Sequence, residues 1–153
     1  MQIEVLKDVL HWTKKCQFQL RGCLKHWGDD IESEQLGWLL HYLENHKDKV
    51  AKALVTFEKQ ANLRALNNWC VEYIDKRPTL LCDAIAAPET ELSQMEIMQN
   101  IVQQDEQILA LYRHLESRLP GGHAQQLMSD LAEMEHHQSM QMVKNQQLQE
   151  DVL

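Results

Sequence analysis

The chain has 153 residues, 44% of them apolar, with 15 basic and 23 acidic side chains and a formal net charge of −8. That length suits one hydrophobic core and is short for two, so residues 1–153 read as a single domain. The acidic balance excludes a basic nucleic-acid face and argues equally against an anionic membrane surface.

Met1-Gln2-Ile3-Glu4 carries no basic segment followed by an apolar one, so no signal peptide is expected. No apolar run approaches the ~20 residues of a membrane span. The four cysteines, Cys16, Cys23, Cys70 and Cys82, lack Cys-x-x-Cys spacing and read as reduced thiols of a cytoplasmic protein.

The first long helix is predicted over residues 3–27. Its apolar stripe of Leu6, Val9, Leu10, Thr13, Cys16, Leu20, Leu24 and Trp27 steps by threes and fours. Gly28 stands where a helix-terminating glycine belongs. The second is predicted over 33–61, on Leu36, Leu39, Leu40, Leu43, Val50, Leu54 and Phe57. A shorter helix over 63–75 and a loop over 79–89 follow. The third long helix starts between Pro88 and Thr90, where Thr90 and Ser93 offer capping oxygens, and ends at Leu119 before Pro120. The fourth runs from Gly122 or His123 to about residue 149, with Leu127, Leu131, Met134, Met142 and Leu148 inward. Trp12, Trp27, Trp38 and Trp69 read as core and hairpin packing.

The tight connections make the first and second helices one antiparallel hairpin, and the third and fourth another. About thirty residues join the two hairpins, enough to run back along the whole assembly. With the four helices aligned end to end, each apolar stripe is interrupted at mid-height by polar residues. They are Gln17 on the first, His46 and Lys47 on the second, Asp105 with Glu106 at its edge on the third, and Glu135 and Gln138 on the fourth. Buried polar groups need partners, so four breaks at one depth predict a shared network.

This pattern resembles the ferritin-like superfamily over most of the chain. The implied fold is an all-α, ferritin-like four-helix bundle of two antiparallel hairpins, with a long crossover carrying a short helix. The implied cofactor is a pair of iron or manganese ions among carboxylates and histidines at mid-height. Candidate metal ligands are His46, Asp105, Glu106, Glu133, Glu135 and His136. His11-Trp12, Tyr42-Leu43 with His46, and Asn68-Trp69 are similar to an uncharacterised bacterial group within that superfamily. In that group the second helix reads His-Glu where this chain reads His46-Lys47.

The departures from the di-iron pattern are specific. The first helix offers Gln17 instead of a carboxylate. On the second, Glu44 stands two residues before His46 where three are wanted. On the fourth, the inward pair is Glu135-x-x-Gln138. The true Glu133-x-x-His136 spacing is turned away by roughly 150° at ~100° per residue. Lys47 faces the same layer, where its ammonium can supply the charge a metal would. Two functions therefore compete. One is a bundle without a di-iron centre or other cofactor, acting by binding a protein partner or as a homodimer. The other is a di-metal carboxylate protein acting on iron, oxygen or peroxide. No nucleophile elbow, phosphate-cradling glycine loop or His-Glu-x-x-His element is present.

Overall fold

The computed structural model describes residues 3–31, 33–70 and 94–152. Five helices are present among them: α1 (Leu6–Asp30), α2 (Glu34–Gln60), α3 (Leu63–Leu66), α4 (Gln94–Arg118) and α5 (His123–Val152). No strand occurs among the described residues beyond an isolated bridge between Val5 and Trp69, so the described part of the protein is all-α. None of the described helices is long and apolar enough to cross a membrane.

Local chemistry sets the helix ends. The carboxylate of Asp8, on the first turn of α1, accepts the backbone N–H groups of Glu4 and Val5 at 3.0 and 3.1 Å. Those two bonds satisfy donors the helix itself leaves open and hold the Asp8 carboxyl below its usual range. Ser33 caps α2 by accepting from the Leu36 N–H, and Asn62 caps α3 through the N–H groups of Arg64 and Ala65. Between α4 and α5, Gly122 adopts φ 84°, a left-handed turn that favours glycine.

α1 and α2 pack antiparallel. His11 and Lys14 pair with Glu58, Arg21 pairs with Asp48, and Gly28 abuts His41. α4 and α5 double back in the same way, and Gln125 donates across their turn to the Glu116 carbonyl. The two pairs then share two apolar clusters. One gathers Leu6, Leu10, Val50, Leu54, Tyr112, Leu115, Leu127 and Leu131, with Ala65 and Leu66 of α3 closing it. The other gathers Leu20, Leu24, Leu39, Leu43, Ile97, Ile101 and Met142. The order of these residues makes α2 parallel to α4, and α1 parallel to α5. α2 thus ends at one end of the molecule and α4 begins at the other. Each fully buried leucine contributes about 1.5–3 kcal/mol over its exposed state.

Three expectations change. α1 continues through Gly28 to Asp30. An added Cβ at Gly28 would stand 3.2 Å from the His41 ring, so glycine answers the close approach of α2 and does not end the helix. Of the helix expected over 63–75, the described part stops at Leu66, and residues 71–75 lie outside the described residues. The chain then turns to pair with the N-terminal segment, Leu6 N–H donating to the Asn68 carbonyl and Cys70 N–H to the Glu4 carbonyl. Trp12 is buried, but Trp38 and Trp69 are exposed; Trp38 stacks on Tyr42 with ring centroids 5.5 Å apart. The expected loop over 79–89, the start of the third long helix and Cys82 lie outside the described residues.

Candidate functional site

Between the two apolar clusters lies a layer of buried polar side chains: Thr13 and Gln17 from α1, Lys47 from α2, Gln104 and Asp105 from α4, and Glu135 from α5. Each stands on the inward stripe of its helix, three or four residues from apolar neighbours, so helix periodicity delivers it to the interior. Lys47 is 0% exposed, and Asp105 and Glu135 are 2% exposed.

The Lys47 Nζ donates to Asp105 Oδ1, forming a buried ion pair from α2 to α4. From α1, Gln17 Nε2 donates to Glu135 Oε1 at 3.5 Å, a long bond. One step towards the first cluster, the Tyr112 hydroxyl donates to Thr13 Oγ1 at 2.8 Å, and Thr13 donates on to the Leu10 carbonyl. His46 is half-buried next to Lys47 in sequence, and its Nε2 is buried with no hydrogen-bond partner among the described residues.

Burial and charge set the protonation of the layer. Desolvation first, and the Asp105 carboxylate second, push the Glu135 carboxyl up to about 8, against the opposing pull of Lys47. Desolvation, with Lys47 and Lys49 behind it, lowers His46 to about 4. At neutral pH the imidazole is therefore neutral. The Tyr112 hydroxyl is raised by burial and by Glu135, and stays a donor.

The layer is richer in acceptors than in donors. Asp105 Oδ2, Glu135 Oε2, Gln17 Oε1 and Gln138 Oε1 are buried with no hydrogen-bond partner among the described residues, and so are both amide atoms of Gln104. Asp105 and Glu135 also line a groove between α4 and α5. Val102 and Leu109 flank it on α4, Met140 and Val143 flank it on α5, and Glu106, His136 and Lys144 lie along it.

The sequence candidates fall into two sets. Asp105 and Glu135 reach the buried mid-level, where they pair with Lys47 and Gln17, whereas His46 and Gln138 are half-buried on their helices. Glu106, Glu133 and His136 are exposed. Among the described residues no three His, Cys, Asp or Glu side chains are grouped to hold a metal ion. Sequence reasoning missed Gln104, which stands three residues after Ile101 and four before Ile108 and so belongs to the α4 stripe. It also missed the groove, whose apolar walls are the shoulders of the α4 and α5 stripes. No family model, curated protein or solved structure matches the chain at a significant level.

Proposed function

We propose that the chain is a ferritin-like bundle whose mid-level carboxylates are held by its own ammonium, Lys47, where relatives of that fold hold a pair of metal ions. On this reading it acts by binding another protein or a second copy of itself. The observation that carries it is the fully buried Lys47 Nζ on Asp105. An ammonium at that level repels a second cation and neutralises one of two buried carboxylates. A di-metal centre in such a bundle draws on four carboxylates and two histidines. The residues present do not fit one: Gln17 stands for the carboxylate of the first helix, and Glu106, Glu133 and His136 are exposed. Exposed Trp38, Met95 and Met140 provide apolar contacts for a partner.

The alternative is a di-metal carboxylate protein using iron or manganese. It is favoured by one observation: Asp105, Glu135 and His46 each keep a buried polar atom with no hydrogen-bond partner among the described residues. Emission spectroscopy of protein grown in iron- or manganese-supplemented medium separates the two. The expected result is metal well below one equivalent after dialysis, unchanged by Glu135→Ala. Stoichiometric metal that survives dialysis and disappears in Glu135→Ala would establish the di-metal reading instead.

A further inference from the structure

We infer that the outward face of α4 and α5 docks on the same face of a second copy of this chain, about a two-fold axis that crosses the helices at right angles beside Met140. The inference deepens the self-association reading above and rests on it.

Charge marks the face. Residues 94–104 of α4 and 138–147 of α5 carry one charged side chain each, Glu96 and Lys144, in a chain that is 25% charged. α4 and α5 run antiparallel out of one turn, so residues equally far from that turn share a level and the two segments lie side by side. The chain carries −8 overall, and two acidic copies repel least where charges are sparse. Sparse charge with methionine is the composition of an interface centre. The other hairpin differs, with Lys14 paired to Glu58 and Arg21 to Asp48 across α1 and α2.

The same face carries apolar groups that the bundle does not cover. Met95, Val102 and Leu109 recur every seven residues and form one stripe of α4. Val102 and Leu109 line the α4–α5 groove with Met140 and Val143. Met95 is 69% exposed and Met140 59%, whereas Met142 is fully buried. α5 thus presents apolar side chains on two sides, and the bundle interior takes only one of them.

Two lone charges set the orientation. Glu106 and Lys144 both line the groove and are exposed, and neither enters an ion pair among the described residues. Counted from the turn at about 1.5 Å per residue, they stand ~13 Å apart along the helices, with Val102 and Met140 midway. A two-fold axis across the helices at that midpoint brings Glu106 of each copy to the level of Lys144 of the other. A two-fold axis along the helices would set Glu106 against Glu106 and Lys144 against Lys144. Charge complementarity selects the first. The face is roughly 20 Å long and two helix diameters wide, so the pair buries on the order of 1,000 Å² in all, the lower bound of a specific interface.

Sedimentation velocity of the purified protein tests this. A monomer–dimer equilibrium is expected, with a dissociation constant on the order of 10 µM for so small an area. Met140→Glu sets two carboxylates against each other at the axis and should weaken the dimer by about 100-fold or more. Glu106→Lys should weaken it by about tenfold, and adding Lys144→Glu to that variant should restore it. The two positions are too far apart to pair within one copy, so a rescue reports the contact between copies. A protein monomeric throughout, a dimer insensitive to Met140→Glu, or a charge swap without rescue would each overturn the interface. Emission spectroscopy of the same samples keeps the two readings apart. A metal-free monomer would overturn this interface and leave binding to another protein standing. A dimer dispersed by Met140→Glu that holds stoichiometric metal would support the interface and overturn the metal-free layer.

Discussion

Lys47 carries more consequence than any other side chain described. A lysine with no exposed surface is expensive to desolvate and is tolerated only with a well-placed anion, here Asp105. Removing one member of such a pair leaves the other charged and unpaired in a medium that solvates it poorly. Lys47→Met is therefore expected to destabilise the protein by about 3–5 kcal/mol in denaturant unfolding. Replacing both members, Lys47→Met with Asp105→Leu, should recover most of that loss, because two apolar side chains of similar size leave no buried charge. A cost below about 1 kcal/mol for Lys47→Met would mean that the ammonium reaches water and is not held in a buried pair.

At the scale of single helices, α1 contains two glycines that separate backbone cost from side-chain contact. Gly22 lies inside α1, exposed, with no atom within 4 Å of an added Cβ, so Gly22→Ala should stabilise the protein by about 0.5–1 kcal/mol. Gly28→Ala gains the same helix propensity but brings its methyl 3.2 Å from the His41 ring, which must yield. Its thermal midpoint should lie below that of Gly22→Ala, and the reverse order would disprove the close approach. The contrast also shows what was legible in the sequence. The stripes of Leu6 to Leu24 and Leu39 to Leu54 follow from a period of 3.6 residues, and so do the polar breaks at Gln17, Lys47, Asp105 and Glu135. Contacts between elements distant in sequence were not legible. Gly28 reads as a terminator until α2 is seen against it. The stop at Leu66 depends on pairing with the N-terminal segment, 60 residues earlier and invisible to local propensity. Which residue joins Asp105 inside turned on the exact phase of α4, which favours Gln104 over Glu106.

For the molecule as a whole, the polar layer divides the apolar interior in two and ties the helix pairs together through Lys47–Asp105 and Gln17–Glu135. Its protonation is therefore coupled to global stability, with opposite signs for two of its groups. Glu135 titrates near 8 in the folded protein against its ordinary 4.5. Between those values the folded chain holds a proton that the unfolded chain has released. Raising the pH thus favours unfolding, and the contribution is full below 4.5 and lost as pH rises through about 8. His46 behaves oppositely, titrating near 4 against its ordinary 6.5. There the unfolded chain binds the proton first, so the contribution is full above 6.5 and lost as pH falls through about 4. Denaturant unfolding of wild type, Glu135→Gln and His46→Gln across this range tests both. The stability of Glu135→Gln relative to wild type should climb between pH 4.5 and 8 and then level off, since only the wild type has a proton to lose. The stability of His46→Gln relative to wild type should climb as pH drops from 6.5 towards 4. Because the two slopes oppose each other where the intervals overlap, the combined contribution of these groups changes little there and declines on the alkaline side. A stability difference between Glu135→Gln and wild type that stays constant with pH would place the Glu135 carboxyl in water and dissolve the layer as a shared buried network.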